Sequence, residues 1–147
     1  MIDENEHFEV AELFLLAGES KFKITAFDKA MKYFEAGIEL LDEDVWQTNY
    51  EFCLKIHNYA AKSAYCERNY NRMNELIGEI SKNASSLLDL VTSYLLIIKM
   101  HNDNRMHDDA IQVGFNIVEK LGERIESNQF IIASEIKRTK SDRIVSC

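Results

Sequence analysis

The fold of this chain is predicted from residues 26–41, AFDKAMKYFEAGIELL. Their apolar side chains recur every three or four positions, which is the spacing of one buried face of an α-helix. The positions concerned are Phe27, Ala30, Met31, Phe34, Ile38 and Leu41. A helix is therefore predicted to begin near Phe27. Thr25, followed three residues later by Asp28, is predicted to cap its amino-terminal end.

The same spacing on both sides of this segment predicts six more helices, so that the chain has seven. In chain order they cover residues 8–22, 44–65, 70–80, 86–100, 106–121 and an amphipathic stretch at 130–136. In the first of them, Val10, Leu13, Phe14 and Ala17 are expected to face inward. Asp44 and Gln47 are expected to begin the helix at 44–65. Gly122 is expected to end the helix at 106–121. The polar runs at 67–69 and 101–104 are predicted turns, and the helix that begins at residue 70 is predicted to end near Ser81-Lys82-Asn83.

The composition favours an all-α fold with a single domain, residues 1–147. The chain has no proline and only 5 glycines among 147 residues, whereas average usage supplies about seven prolines in this length. Proline interrupts helices and punctuates loops, so its absence favours long helices joined by short connections.

The charge balance and the apolar runs limit the classes of partner. The chain has 25 acidic and 17 basic residues, a net charge of −8, which is the wrong sign for neutralising nucleic-acid phosphates. The longest apolar runs span five residues, far fewer than the roughly twenty that cross a bilayer. Cys53, Cys66 and Cys147 lack C-x-x-C spacing, and the amino terminus is acidic and polar. A cytoplasmic chain with free thiols, bound to neither nucleic acid nor membrane, is expected.

A regular offset between small or apolar residues predicts three helical hairpins. Positions where two helices of a hairpin cross closely lie twelve residues apart in tetratricopeptide units, and three pairs here have that separation. They are Gly18 with Ala30, Ala61 with Met73, and Ile98 with Ala110. The pairs recur at intervals of 43 and 37 residues, longer than the 34 of the standard repeat. A bundle of helices without repeats is the alternative that the same apolar spacing allows.

Several motifs in order resemble the helical-repeat segment of large bacterial signalling proteins. Those proteins join a serine/threonine-kinase-like domain, an AAA-type ATPase, tetratricopeptide-like repeats, a GAF domain and a sensor histidine kinase in one polypeptide. The motifs are AELFLLAG at 11–18, AFDKAMKYFEAGIELL at 26–41, WQTNYE at 46–51, AAKSAY at 60–65, LLD at 87–89 and AIQV at 110–113. Two departures are the acidic pair Asp42-Glu43, where the family tends to have proline, and the segment after Gly122, which lacks the family's prolines.

The resemblance implies a tetratricopeptide-like α-α superhelix of about three hairpins and a carboxy-terminal helix. It also implies a non-catalytic interaction or sensor module of an ATPase-coupled signal-transduction protein, because the chain has neither a phosphate-binding G-x-x-x-x-G-K-[ST] loop nor histidine-kinase glycine boxes. The alternative is a small stand-alone helical protein that binds and sequesters or inhibits a partner protein. Neither implies an enzyme.

No residue set in the sequence predicts catalysis, a cofactor or a metal. His101, Asp103, His107 and Asp108 fall within eight positions, but the two histidines are separated by a predicted turn and share no helix face. His57 is expected at a hairpin interface. Trp46 and Tyr50, one turn apart, are expected to pack within a hairpin. The basic tail, with Lys137, Arg138, Lys140 and Arg143, is expected to be a solvated helix end.

The first helix of each hairpin is predicted to line a concave groove that binds a protein or peptide. In the first hairpin the lining residues are Glu12, Leu15, Glu19 and Phe22; in the second, Lys55, Asn58, Lys62 and Tyr65; in the third, Thr92, Leu95, Lys99 and Asn102. The groove would be acidic at one end and basic beyond it, which suits a partner segment with its own charge asymmetry. Uncovered apolar ends of the repeat array would also allow a homodimer.

Overall fold

The computed structural model describes residues 3–124 of the chain, and in this range all of its regular elements are helices. They are α1 (Glu4–Lys23), α2 (Phe27–Glu39), α3 (Val45–Thr48), α4 (Tyr50–Cys66), α5 (Tyr70–Asn83), α6 (Val91–Asp103) and α7 (His107–Arg124), with one 3-10 turn at Leu88–Leu90. The all-α prediction is confirmed. The predicted helix at 130–136, the basic tail and Cys147 lie outside the described residues.

The helices fall into two compact units, which divide between Ser85 and Ser86. In the first unit α1 pairs with α2, α4 pairs with α5, and α2 also packs against α4. In the second unit α6 pairs with α7. Each pair is a helical hairpin closed by a short turn.

The three hairpin turns have the same backbone geometry. In each turn, the second residue after the last helical residue is in the left-handed region. These residues are Thr25, Arg68 and Arg105, with φ of 60°, 59° and 61°. In each turn this residue and the next donate their N–H groups back to carbonyls of the last helical turn, with six N···O distances of 2.7–3.0 Å. This is the Schellman pattern that satisfies the free carbonyls at a helix end.

The turn geometry corrects the prediction for Thr25. The residue does not cap α2; Ala26 occupies the N-cap position and makes no side-chain cap. Thr25 belongs instead to the carboxy-terminal cap of α1, where its N–H bonds Phe22 O at 3.0 Å. The left-handed conformation crowds Cβ, and a β-branched residue is rare there.

Close approach of helix backbones organises the core of the first unit. Gly18 of α1 faces the buried Phe34 of α2, and a Cβ added to Gly18 would lie 2.6 Å from Phe34 Cδ1. A Cβ added to Gly37 would lie 2.7 Å from Ile56 Cδ1 of α4. Ala61 and Met73 are fully buried where α4 meets α5. At Gly18 and Gly37 this packing requires a residue without a side chain.

Arg72 of α5 joins the second hairpin to the first through a two-pronged ion pair. Its Nε and Nη2 donate to Glu35 Oε1 and Oε2 of α2 at 2.6 and 2.8 Å, the planar geometry that suits a guanidinium and a carboxylate. Its Nη1 also donates to Glu75 at 2.9 Å. These bonds raise the pKa of Arg72 above its usual range.

The second unit has a small core of its own between α6 and α7. Ile98, Ala110, Ile117 and Leu121 are buried, and Leu87, Tyr94 and Val113 pack against them. All three residue pairs with the twelve-residue offset are therefore buried in their hairpins. On the outer side of α7, Ile111 and Phe115 are exposed.

Several predicted helix limits were wrong. The segment 44–65 is broken at Asn49, which has φ −137° and ψ 54° and ends α3 before α4 begins. The Thr48 hydroxyl bonds Asp44 O and Val45 O there, so polar side chains compete with the helical backbone bonds. Asp44 makes no side-chain cap.

Three limits in the second unit also differ. Helix α6 begins at Val91, after the 3-10 turn, rather than at Ser86, and it continues through the predicted turn to Asp103. Helix α7 runs past Gly122 to Arg124. The predicted breaks at 67–69 and after Asn83 are confirmed.

The close approach at Gly18 predicts opposite effects for two Gly→Ala substitutions. Gly18→Ala should lower the free energy of unfolding by about 1–3 kcal/mol, because the methyl group overlaps the Phe34 ring. Gly78→Ala, on the exposed side of α5 with no atom within 4 Å of the added Cβ, should raise it by about 0.5–1 kcal/mol through helix propensity. Urea denaturation followed by circular dichroism measures both. Equal effects would contradict the close packing at Gly18.

The left-handed turns predict that glycine stabilises a position where threonine stands. Thr25→Gly removes the Cβ crowding, so the free energy of unfolding should rise by roughly 0.5–1 kcal/mol after the extra entropy of the unfolded chain is subtracted. Lys32→Gly, in the exposed interior of α2, is the control and should lower it by about 1 kcal/mol. Thermal unfolding of the two variants tests the difference. A loss of stability in Thr25→Gly would refute the turn geometry.

Candidate partner-binding groove

A surface groove of about 610 Å³ lies between α1 and α4 in the first unit. It is lined by Glu9, Glu12, Leu13, Leu15, Leu16 and Glu19 of α1 and by Phe52 and Lys55 of α4. Four of these residues were predicted to line a groove: Glu12, Leu15, Glu19 and Lys55. The structure thus brings together residues from the first helices of the first and second hairpins.

The apolar part of the groove is open to solvent. Leu13 and Leu16 are 64% and 59% exposed, although Leu15 beside them is buried. Phe52 packs edge-to-face against Phe8, with ring centroids 4.9 Å apart. Covering one exposed leucine completely is worth about 1.5–3 kcal/mol. Burying these two leucines against a partner would therefore contribute favourable free energy to binding.

The exposure of Leu13 corrects the sequence prediction for α1. Val10 and Leu13 were expected to face inward, but they are 37% and 64% exposed, and the buried residues of α1 are Ala11, Leu15 and Gly18. Phe14 and Ala17 are half-buried. Helix α1 carries apolar residues on two faces, and the small residues Ala11 and Gly18 decide which face packs against α2, because α2 can approach closely there.

Charged side chains border the apolar surface at both ends. Glu9 and Glu12 are exposed, and within residues 3–122 no cationic side chain lies within ion-pair distance of either. At the other end Lys55 Nζ lies 3.0 Å from Glu19 Oε1. This oxygen is buried and has no aligned hydrogen bond, so the contact with Lys55 is one of charge alone. The groove therefore carries an excess of negative charge.

Three more predicted groove residues lie near Tyr59 of α4. The Phe22 ring packs edge-to-face on the Tyr59 ring at 5.4 Å, and Lys62 Nζ lies 5.4 Å from the centre of that ring. Asn58 is half-buried, and its Oδ1 atom is buried without a hydrogen-bond partner. Tyr65 lies further along α4, 6.3 Å from Tyr70 between ring centres. These residues do not line the groove itself.

The third predicted set lies on α6, in the second unit. Thr92, Leu95 and Lys99 are half-buried and Asn102 is exposed. Asn102 Oδ1 accepts a hydrogen bond from His107 Nδ1 at 3.3 Å. A groove that runs on from the first two sets to this one stays a prediction.

Sequence reasoning missed Glu9, Leu13, Leu16 and Phe52 as groove residues. The signal for the α1 members was the spacing of Val10, Leu13 and Leu16, which forms a second apolar stripe beside the buried one. Phe52 carries no such signal, because an aromatic residue within a helix is more often part of a core.

His57 of α4 is a buried structural residue, as expected. Its side chain is 5% exposed, its Nδ1 donates to Cys53 O at 2.7 Å, and its ring lies 4.9 Å from that of Trp46. Burial lowers the pKa of His57 below 6.5; Arg72 acts in the same direction, and the Cys53 carbonyl, Glu79 and Glu35 oppose them. Trp46 and Tyr50, which were expected to pack within a hairpin, contact each other with ring centroids 5.8 Å apart.

The two described cysteines are not joined in a disulfide; Cys53 is buried and Cys66 is exposed. Burial raises the pKa of the Cys53 thiol to about 11, so this thiol is protonated at neutral pH. Among the described residues, no three His, Cys, Asp or Glu side chains are placed to hold a metal ion. None of the described helices combines the length and apolar character of a membrane span.

No protein-family model, curated protein or solved structure matches this chain.

The lowered pKa of His57 predicts that stability depends on pH in a defined direction. The unfolded chain binds a proton at His57 near pH 6.5, whereas the folded chain binds it only at lower pH, so the free energy of unfolding should fall as pH drops below 6.5. The contribution is fully present above that pH. His57→Asn should flatten this dependence between pH 7.5 and 5.5, as measured by urea denaturation. If the free energy of unfolding of the variant changed with pH as steeply as that of the wild-type chain, His57 would not be the cause of the dependence.

Proposed function

We propose that this chain is a non-catalytic interaction module whose groove between α1 and α4 binds a segment of a partner protein. The main observation in support of this function is the pair of exposed leucines, Leu13 and Leu16, in a groove that is also lined by Glu9 and Glu12. Exposed apolar side chains grouped in a concave surface with a polar border are typical of protein interfaces.

The hairpins further support a tetratricopeptide-like repeat. Their left-handed residues Thr25, Arg68 and Arg105 are spaced by the same 43 and 37 residues as the buried positions Gly18, Ala61 and Ile98. Each left-handed residue thus follows its buried position by seven. One hairpin geometry used three times is what a repeat array predicts, and first helices that share a groove are how such arrays bind peptides.

The cellular context of the module is proposed from the sequence resemblance. The resemblance of motifs such as AELFLLAG at 11–18 and WQTNYE at 46–51 supports the proposal that it belongs to an ATPase-coupled signal-transduction protein of the bacterial cytoplasm. In this setting the module has no chemistry of its own. Occupancy of the groove is passed through the packed hairpins to the attached machinery. The partner is a protein or peptide, neither nucleic acid nor membrane.

Removing the exposed leucines should abolish partner binding without unfolding the chain. Leu13→Ser with Leu16→Ser deletes the apolar surface of the groove, and both side chains are more than half exposed. The tagged chain is used to capture proteins from the lysate of its own cells, and captured proteins are identified and quantified by mass spectrometry. A partner enriched by the wild-type chain should be lost with the double variant.

The matched control is Ile111→Ser with Phe115→Ser on α7, where the side chains are 55% and 64% exposed. This pair removes a similar amount of exposed apolar surface at two residues that do not line the groove. It should leave capture unchanged. Capture that survives the loss of Leu13 and Leu16, or that is lost equally in the control, would show that the groove is not the binding site.

A further inference from the structure

We propose that the groove between α1 and α4 takes a basic amphipathic helix, that is, a segment with apolar residues on one face and lysine or arginine at its edges. This inference rests on the proposed function and names the chemistry of its partner. It is argued from three properties of the groove: the charge at its border, the direction of its apolar surface and the neutral ion pair at its far end.

The charge at the border selects a cationic partner. Glu9 and Glu12 stand beside Leu13, and no cation within residues 3–122 forms an ion pair with them, whereas the one lysine of the groove, Lys55, already contacts Glu19. A partner segment with lysine or arginine beside its apolar residues would pair with the two free carboxylates. An acidic segment would meet only like charge there.

The apolar surface runs along the axis of α1. Leu13 and Leu16 lie one turn apart on the same side of the helix, between Glu12 and Glu19. The lining residues Glu9 to Glu19 span ten positions, about 15 Å along the helix. A partner helix of about three turns covers this length and presents apolar side chains at i, i+3, i+4 and i+7, which is the helix-in-groove mode of recognition.

Glu19 and Lys55 leave the far end of the groove without net charge. The Glu19 side chain is 14% exposed, and its buried Oε1 atom lies 3.0 Å from Lys55 Nζ. A bound segment therefore gains no new ion pair at this end, and Glu9 and Glu12 alone select its charge.

Designed peptides test the inference directly. An 18-residue fluorescein-labelled helix of leucine and lysine, a copy with glutamate for lysine, and a copy with glutamine for leucine are titrated with the full chain by fluorescence anisotropy. The leucine-lysine helix should bind, more weakly as salt is raised. The other two should not.

A pair of charge reversals separates recognition in the groove from general attraction to an acidic protein. Glu9→Lys with Glu12→Lys should weaken binding of the leucine-lysine helix by about tenfold or more and should create binding of the leucine-glutamate helix. Glu39→Lys with Glu43→Lys makes the same change in net charge at two exposed acids outside the groove. This control should weaken binding by less than about threefold.

The outcomes distinguish the inference from the proposed function. Equal weakening by the two charge reversals, or tighter binding of the leucine-glutamate helix to the wild-type chain, overturns the basic partner. If no peptide binds while the leucine variants still lose the captured partner, the inference is wrong and the interaction module stands. If the leucine variants keep the partner, the proposed function fails, and the inference fails with it.

Discussion

The missing side chain at Gly18 is the constraint on which the first unit depends. Because no Cβ stands there, the ring of Phe34 lies directly against the backbone of α1. This contact fixes the side of α1 that α2 covers. Once that side is taken, Leu15 is buried and Leu13 and Leu16 are left outside. Gly37 allows a similar close contact between α2 and Ile56 of α4. Helix α4 therefore also comes close enough to α1 to form the other wall of the groove. The groove thus follows from two glycines that are not part of it.

Ion pairing and hydrogen bonding then fix the order of the hairpins in this unit. The guanidinium group of Arg72 spans from α5 to the Glu35 carboxylate on α2, and the hydroxyl of Tyr50 accepts the Ser85 N–H beyond the end of α5. Such contacts are directional, so they specify which helix faces which. The apolar core supplies the larger share of the burial. The second unit relies on a smaller core and on the same turn geometry.

The all-α class, the hairpins and the breaks near Arg68 and Asn83 follow from apolar spacing and polar punctuation, which act locally. Four other features show what local spacing does not determine. Threonine is common as a helix cap and rare in the left-handed region, so the pattern misplaced Thr25. Apolar spacing runs through Asn49, which hides the break between α3 and α4. Helix α1 carries two apolar stripes, so its own sequence does not show which stripe is buried. Packing against α2 decides this. The groove residues from different helices, such as Glu19 and Lys55, are related by tertiary contact, which local spacing cannot reveal.

The acids Glu9 and Glu12 also affect pairing between two copies of this surface. The exposed leucines of α1 could pack against the same helix of a second molecule, and groove-to-groove pairing would bring together four such carboxylates, none of which pairs with a cation within residues 3–122. Their repulsion opposes that pairing, and a net charge of −8 adds to it. The acids therefore oppose self-association at this face, and under the proposal above the same charges would select a basic partner.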